Sequence, residues 1–493
     1  MRLPLCALPW LALWACADDA APGPCLADRD CEDGACVADE ALAPEDLARQ
    51  PLACSAAPRL GAVPGAACHS GKDCDHGLCL LASTCARSCV SADDCGDGQR
   101  CQPVYTRSAF GLARVSACVD AVNLPADARV TRTQSVVHGS PDDVLTLPRG
   151  ADQTLYVVEH VADTTWPIPS STTTCRPPLC AARLSSDDQV LFDRGRSADE
   201  AGPLLAVAQG SHVDPLTVWA PNGPRVEPAA RVYTLEVESK VAGAVHITAI
   251  SRSERGLRLD LNLYYVGAAG LVPEGARGVP QLEAALERVD AIFEPAGIFI
   301  GDVRQSDVPG ALPDVGSELP GAEVSAGFRT LRSQYQVLPE LPALLRLSAG
   351  AANSGLDVFF VADIAAHGAD VGGIAGGTPV PFGMHGTPGS GIVVATDMFL
   401  QADAPEALGR TLAHELGHAL GLFHTIELDG TVTDPLPDTP ACPITRDLDR
   451  SGSLDADECA AHGGDNLMFP TSDAGTQLTA QQREVLRAAL LLQ

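Results

Sequence analysis

The sequence predicts an α/β domain with a twisted, mixed sheet of about five strands over residues 255–493. Before it we expect a small, sandwich-like β-rich domain over residues 125–250 and disulfide-rich modules over residues 25–118. Two changes of pattern lead to this division. Twelve cysteines fall within residues 25–118, and short alternating runs give way to strand and helix patterns near residue 255. The length of 493 residues allows about three domains.

The N-terminus has the pattern of an export signal. Arg2 precedes an apolar run over residues 3–15. The sequence L-W-A-C that ends at Cys16 resembles a bacterial lipobox, so we predict a signal peptide over residues 1–16 and a lipid on Cys16. Ordinary cleavage after Ala17 is the alternative, because A-C-A also fits the A-x-A rule.

Composition limits the partners and the compartment. The chain has 33 Lys and Arg against 63 Asp and Glu, a net charge of −30, which argues against nucleic acid or anionic lipid as a partner. Eighteen cysteines indicate an oxidising compartment, so we expect an exported protein, either a bacterial outer-membrane lipoprotein or an extracellular one. There is no internal run of 18 or more apolar residues, so a membrane is expected as a partner only through the lipid anchor.

The cysteine-rich region contains an internal repeat. Few large apolar residues accompany the cysteines, so the modules need disulfides in order to fold. An aspartate precedes the middle cysteine each time. Zinc knuckles are the alternative, and the disulfide connectivity cannot be read from the spacing. The repeat runs as Cys25-x5-Cys31-x4-Cys36, Cys68-x5-Cys74-x4-Cys79 and, more loosely, Cys89-x5-Cys95-x5-Cys101.

Residues 125–250 carry few cysteines and show a different pattern. Runs such as residues 153–158 and 232–237 alternate like strands, and turn clusters of Pro, Gly, Asp and Ser separate them. This pattern predicts a small antiparallel sandwich. Cys175 and Cys180 most simply form a local disulfide.

The C-terminal half alternates between strand and helix patterns. The helix predicted over residues 280–293 is amphipathic, with Leu282, Leu286, Val289 and Phe293 on one face. Strands are predicted over residues 256–266, 298–300, 356–362, 372–381 and 391–396.

Two further helices are predicted from their start signals. Asp403 can cap a helix that has Pro405 in its first turn. Thr479 and Gln482 form a capping box for a last helix that runs through Leu492.

The helix with Pro405 in its first turn runs into a stretch that reads H-E-x-x-H-x-x-G-x-x-H. On a helix, His414 and His418 lie one turn apart on one face, so both imidazoles can reach one cation. Gly421 can end the helix with a left-handed turn, after which His424 can supply a third nitrogen. Three histidines and an open position are typical of catalytic zinc, and Glu415 is suited to hold and deprotonate a metal-bound water.

A second metal site is predicted downstream, where residues 447–458 match the twelve-position calcium loop. Oxygen ligands fall at the expected positions, and a glycine stands at position 6. A solvated acidic turn is the alternative. Cys442 and Cys459 are expected to form a disulfide across the base of the loop. The predicted calcium ligands are Asp447, Asp449, Ser451, Ser453, Asp455 and Glu458.

The extended histidine motif resembles that of metzincin metallopeptidases. The sequence N-L-M-F-P around Met468 is similar to the Met-turn of that clan, whose methionine lies beneath the zinc; an ordinary core methionine is the alternative. Within the clan, the pair His424-Thr425, the downstream D-T-P at residues 438–440 and the form Asn466-x-Met468 resemble the pappalysin (cytophagalysin) family. The resemblance covers residues 255–493, about half of the chain.

The resemblance implies a metzincin-type catalytic domain that acts as a zinc-dependent endopeptidase on protein or peptide substrates. His414, His418 and His424 would hold Zn²⁺, and Glu415 would be the general base for a zinc-activated water. The strand at residues 372–381 would be the cleft edge that pairs with extended substrate. Pro470 stands where some clan members have a tyrosine ligand, so no such ligand is expected.

Two alternatives to this interpretation remain open at the level of the sequence. The first is a surface binding protein with a catalytically idle zinc-peptidase scaffold, and the presence of Glu415 argues against it. The second is a latent enzyme in which the thiol of Cys175 or Cys180 blocks the zinc. The expected cofactors are Zn²⁺ and Ca²⁺.

Overall fold

The computed structural model describes most of the chain from residue 25 onward. Cys16, Cys175 and Asp403 lie outside the described residues, so the predictions that rest on them are not addressed by the structure. No helix among the described residues is long and apolar enough to cross a membrane. The described ranges are 25–31, 34–38, 52–55, 61–69, 71–108, 111–140, 142–149, 153–160, 179–186, 189–193, 207–209, 216–220, 232–239, 241–252, 256–266, 280–308, 330–332, 341–366, 369–396, 404–430, 433–434, 436–471 and 475–493.

The cysteine-rich region consists of three modules with one disulfide pattern. In each module the first cysteine pairs with the third and the second with the fourth. All twelve cysteines of the region are therefore in disulfides, and no thiolate remains for a zinc knuckle. The bonds are Cys25–Cys36, Cys31–Cys54, Cys68–Cys79, Cys74–Cys85, Cys89–Cys101 and Cys95–Cys118. The strands are β1 (Ala35–Ala38), β2 (Leu52–Ser55), β3 (Leu78–Cys79), β4 (Cys85–Ala86), β5 (Gln99–Ser108) and β6 (Gly111–Asp120).

The repeated aspartate has a structural role in each module. A 3-10 turn precedes the middle cysteine, at Asp28–Asp30, Gly71–Asp73 and Ala92–Asp94. In the third module the Asp94 carboxylate accepts the backbone N–H groups of Val90 and Ser91, at 2.7 and 3.0 Å. Asp30 and Asp73 accept equivalent N–H groups in the other two modules. The aspartate therefore satisfies the open N–H groups at the start of the turn and holds the middle cysteine in place.

Two antiparallel sheets follow and pack face to face as a sandwich. One sheet has the order β11-β10-β14-β8 and the other β12-β13-β9-β15-β7. Buried aromatic and aliphatic side chains of both sheets form one core, in which Tyr156 and Tyr233 meet edge to face. The strands are β7 (Ala128–His138), β8 (Asp143–Thr146), β9 (Thr154–His160), β10 (Leu179–Ser186), β11 (Gln189–Asp193), β12 (Val207–Gln209), β13 (Leu216–Ala220), β14 (Thr234–Ser239) and β15 (Ala242–Arg252).

The C-terminal half is built on a mixed sheet of five strands, as the sequence predicts. The strand order is β17-β16-β19-β23-β22, and the first four strands are parallel while β22 runs antiparallel at the edge. The strands of this half are β16 (Arg258–Val266), β17 (Phe299–Val308), β18 (Thr330–Arg332), β19 (Leu356–Val361), β20 (Asp363–Ala366), β21 (Ala369–Asp370), β22 (Gly373–Ala375) and β23 (Ile392–Ala395).

Four α-helices accompany this sheet within the described residues. The prediction for the first is confirmed, with Leu282, Val289 and Phe293 buried and Leu286 packed against the same core. The helices are α1 (Pro280–Phe293), α2 (Leu341–Leu345), α3 (Pro405–Ala419) and α4 (Ala480–Ala488). Short 3-10 turns lie at Glu294–Ala296, Arg346–Ser348 and Ile444–Arg446.

Two predicted boundaries in this half differ from the structure. The edge strand β22 is shorter than residues 372–381, because Pro379 and Pro381 have no N–H for a ladder. Helix α4 ends at Ala488 rather than Leu492. Beyond it, the carbonyl of Leu490 accepts a hydrogen bond from Arg252 of the sandwich. Helix α3 has Ala404 at its N-cap and Pro405 in its first turn, where the sequence predicts that proline.

The sandwich and the α/β half share one hydrophobic core. Leu155, Val157, Trp219 and Ile250 of the sandwich belong to the cluster that also contains the buried faces of α1, α3 and α4. Arg252, which is 9% exposed, is paired with Asp127 and donates to the carbonyl of Leu490 at 2.9 Å. Burial of this kind makes the two regions one folding unit.

Candidate metal centre

Helix α3 brings two imidazoles together on one face. Nε2 of His414 and Nε2 of His418 lie 3.2 Å apart. Between the two histidines stands Gly417, where a Cβ would come within 2.6 Å of the sulfur of Met468. The helix therefore approaches the methionine more closely than any residue with a side chain would allow at this position. Met468 is fully buried.

The third imidazole reaches the same point after the helix ends. Gly421 has φ +104°, a conformation that glycine adopts readily, and it turns the chain back as the sequence predicts. A Cβ at Gly421 would come within 2.7 Å of the Trp219 ring, so the position also lacks room for a side chain. His424 then places its Nε2 atom 3.3 Å from Nε2 of His414.

The hydrogen bonds of the two helical histidines fix which nitrogen carries the proton. Nδ1 of His414 donates to the carbonyl of Leu467, and Nδ1 of His418 donates to the carbonyl of Leu422, both at 2.7 Å. A carbonyl can only accept, so in the neutral rings both Nε2 atoms carry lone pairs. Lone pairs that face one another at 3.2 Å repel unless a cation lies between them.

The donor set and its geometry fit a zinc ion. Zinc bound by imidazole has Zn–N distances of about 2.0–2.1 Å, which in a tetrahedron separates the nitrogens by about 3.3–3.4 Å. The observed separations of 3.2 and 3.3 Å are close to that spacing. Burial, reinforced by the neighbouring His424 ring, lowers the pKa of His414 to about 3 and that of His418 well below its usual value. Both rings are therefore neutral at neutral pH.

Glu415 is buried on the side of the helix that faces the edge strand. It is 5% exposed, and its carboxylate accepts a hydrogen bond from the backbone N–H of Ala375 in β22. Burial raises the pKa of Glu415 to about 8, although the bond from Ala375 opposes the shift. A Cβ at Gly373 would come within 2.5 Å of the Glu415 side chain. The glutamate and the strand are therefore in direct contact.

The turn around Met468 supports two of the three imidazoles. The carbonyl of Leu467 accepts from His414, and the carbonyl of Met468 accepts the backbone N–H of Thr425, next to His424, at 3.0 Å. The side chain of Asn466 closes the turn by accepting the N–H of Met468 at 2.9 Å. The turn therefore connects the histidine helix to the segment after it.

The predicted calcium loop folds around its own acidic side chains. Carboxylate oxygens of Asp447, Asp449 and Glu458 lie within 4.8 Å of one another, and Gly452 takes φ +83° at the sharp turn. The carbonyl of Ser453 and the hydroxyl of Ser451 are 2.9 Å apart.

The other predicted members of the loop have local roles. The Asp455 carboxylate accepts the N–H of Glu458 at 2.8 Å and so caps the turn that follows. Cys442 and Cys459 are joined by a disulfide, and both are fully buried. The backbone N–H of Leu454 donates to the carbonyl of Leu428 at 2.8 Å. This bond ties the loop to the segment that follows His424.

Sequence reasoning missed two side chains that support the centre. The Glu427 carboxylate accepts from Nδ1 of His424 at 3.2 Å, and Gln482 holds Asn466 through two amide hydrogen bonds. The spacing of Glu427, three residues after a ligand, could have indicated the first contact. No local pattern indicates the second, because 16 residues separate the partners. Cys180 is in a disulfide, so it offers no free thiol to block the site.

Comparisons with known proteins add little to this geometry. No family model matches the chain, and no curated protein matches it. Among the solved structures that match is the crystal structure of metalloproteinase-II from Bacteroides fragilis, at 14% identity and a TM-score of 0.22. The match covers 39% of this chain and 57% of that one, so the chain spans little more than half of its length. At that TM-score the likeness carries no weight for the fold or the activity.

Proposed function

We propose that this protein is a zinc-dependent endopeptidase of metzincin type, with the pappalysin family as its nearest resemblance. The observation that carries the proposal is the convergence of three Nε2 atoms beside the buried carboxylate of Glu415. His414, His418 and His424 would hold the ion, and three protein nitrogens would leave a fourth position open, as in catalytic zinc sites. Met468 would provide the apolar floor of the site.

The residues of the chain suit peptide hydrolysis. A bound Zn²⁺ would supply a Lewis acid that acidifies water and polarises the scissile carbonyl. The Glu415 carboxylate would accept the proton of the attacking water and return it to the leaving amine. Burial raises the pKa of Glu415, which strengthens its carboxylate as a proton acceptor. The carbonyl acceptors of Leu467 and Leu422 would keep two imidazoles in the ligating tautomer.

Strand β22 would orient the substrate. It is an edge strand, antiparallel to β23 on one side, and its residues are only half-buried. An extended peptide that adds to this edge would run beside Glu415, since Ala375 already contacts that carboxylate. We therefore propose unfolded or extended segments of protein as substrates, and no nucleic acid, given the net charge of −30.

The proposal is tested by metal content and proteolysis together. Purified full-length protein should contain about one Zn²⁺ per chain and cleave a denatured protein, with cleavage sites mapped by mass spectrometry. His418→Ala should lose both the metal and the activity, because it removes a ligand from the rigid helix. His138→Ala, which changes an exposed histidine on β7, is the matched control and should keep both. Full zinc occupancy in His418→Ala would refute the ligand assignment.

We also propose that the loop at residues 447–458 binds Ca²⁺. Asp447, Asp449, Asp455 and Glu458 bring four carboxylates together, and their repulsion is relieved by a cation. The loop would then be held against Leu428, within the segment that follows the third histidine. Bound Ca²⁺ would therefore stabilise one wall of the cleft.

Calcium should raise the melting temperature of the wild type at constant zinc. Calcium at 100 times its dissociation constant should add about 2.7 kcal/mol to the free energy of unfolding. Glu458→Gln should gain much less, because it removes the bidentate ligand of position 12. Asp457→Asn, at the exposed neighbouring position that is not a ligand, should respond as the wild type does. Equal gains in all three proteins would mean that calcium acts elsewhere.

We propose that the protein is exported from the cytoplasm. The disulfides of the three N-terminal modules indicate export to an oxidising compartment. We propose attachment to a membrane through lipid on Cys16, since residues 13–16 have the pattern of a lipobox. The competing function, a binding protein with an idle peptidase scaffold, would leave Glu415 without a catalytic role.

A further inference from the structure

We propose that Gln482, on the C-terminal helix α4, is a positioning residue of the metal centre and that its amide determines zinc affinity. This inference rests on the proposed zinc function. Gln482 and its partner Asn466 are 0% and 3% exposed, and the hydrogen bonds of the Gln482 amide within the described residues go to Asn466 and Thr479 and not to the three histidines. Its effect would therefore pass through the turn that contains Met468.

Two buried amides form a reciprocal pair at the base of this turn. Nδ2 of Asn466 donates to Oε1 of Gln482 at 2.8 Å, and Nε2 of Gln482 donates to Oδ1 of Asn466 at 3.1 Å. Each oxygen also accepts one backbone N–H. Oε1 of Gln482 accepts that of Thr479 at 2.9 Å, and Oδ1 of Asn466 accepts that of Met468 at 2.9 Å.

The backbone N–H groups fix the orientation of both amides. An N–H can only donate, so the oxygen of Gln482 must face Thr479 and the oxygen of Asn466 must face Met468. Once both oxygens face these N–H groups, each NH₂ group donates to the oxygen of the other amide. A flip of Asn466 would leave the buried N–H of Met468 unpaired, and a flip of Gln482 would leave the partly buried N–H of Thr479 unpaired; both losses are costly.

The pair acts on the metal centre through adjacent backbone groups. Asn466 holds the N–H of Met468, so it sets the direction of the Leu467 carbonyl that accepts Nδ1 of His414. The next carbonyl, that of Met468, holds Thr425 beside His424. Two of the three imidazoles therefore depend on one turn, and helix α4 fixes that turn from outside.

Gln482 also belongs to the capping box of α4, so its role in the turn must be separated from its role in the helix. Thr479 provides the other half of the box, since its hydroxyl accepts the N–H of Gln482 at 3.2 Å. The Thr479 hydroxyl also donates to Asp438 but makes no bond to Asn466. Loss of this hydroxyl weakens the same helix end and leaves the amide pair in place.

The test compares zinc affinities in the full chain. Gln482→Glu replaces the donating NH₂ with an oxygen that faces Oδ1 of Asn466, and Gln482→Met removes the amide at similar length. Zinc dissociation constants are measured by competition with a chromophoric chelator, at a temperature well below the melting transition of each variant. Both variants should bind zinc about 10- to 100-fold more weakly, the usual effect of losing an outer-shell partner. Thr479→Ala should bind within about twofold of the wild type.

The outcomes are distinct from those of the proposed function. If the wild type binds zinc and Gln482→Glu binds it equally well, the positioning role is wrong and the peptidase proposal stands. An equal loss of affinity in Thr479→Ala would also overturn it, because the effect would then come from the helix end. If Gln482→Glu does not fold, Gln482→Met decides by the same criteria. A wild type that binds no zinc overturns both proposals.

Discussion

Glu415→Gln should retain zinc and lose about 100- to 10,000-fold in the rate of peptide cleavage, the range expected for removal of a general base. The amide keeps the size of the carboxylate and can still accept the N–H of Ala375, so the fold and the metal centre should be preserved. It cannot take a proton from water at neutral pH. The measurement is kcat on a fluorogenic peptide, together with zinc content by elemental analysis.

The result separates catalysis from metal binding. KM should change little, because the main contact of the substrate with β22 would be made by backbone groups. A variant that cleaves at the wild-type rate with full zinc would show that Glu415 is not the base. A wild type that holds zinc and cleaves no protein would instead favour the idle scaffold.

Trp219→Ala should lower the free energy of unfolding by about 3–5 kcal/mol, as expected when a large aromatic side chain is removed from a core. The ring is 2% exposed and lies between the sandwich and the end of helix α3, where it touches Gly421. Its removal would leave a cavity beside the turn that leads to His424. The measurement is equilibrium unfolding in denaturant with zinc held constant.

Two further variants make this prediction specific. Phe299→Ala removes a half-exposed aromatic ring on β17 and should lower the free energy of unfolding much less. Trp219→Phe should lower the free energy of unfolding less than Trp219→Ala does, because it keeps an aromatic ring. No described group accepts a hydrogen bond from the indole N–H, so the substitution breaks no hydrogen bond. A cost below about 1 kcal/mol for Trp219→Ala would mean that the two regions do not depend on a common core.

Local features of the centre could be predicted because helix geometry determines them. The four-residue spacing of His414 and His418 places both rings on one face, and Gly421 marks the turn towards His424. The five-strand sheet and helix α1 also followed from periodicity, which reports burial along a single element.

The remaining features depend on partners that are distant in the chain. The disulfide pairing in the modules, the contact of Trp219 with Gly421 and the amide pair of Asn466 and Gln482 involve tertiary packing, and no spacing rule encodes them. The predicted end of helix α4 was wrong for the same reason. Beyond Ala488 the carbonyl of Leu490 accepts a hydrogen bond from Arg252, a distant residue of the sandwich, and the helix does not continue.

The common core beneath Trp219 limits how the C-terminal half can be exchanged between genes. Recombination that moved residues 255–493 alone into another protein would expose the apolar surface that Leu155, Trp219 and Ile250 now cover. A hybrid that keeps the histidine helix in place would have to inherit the sandwich as well, and also the cysteine-rich modules, because Leu81 and Tyr105 share a buried cluster with Tyr264 and Phe359 of the C-terminal half. The segment that can be transferred intact is therefore much longer than residues 255–493.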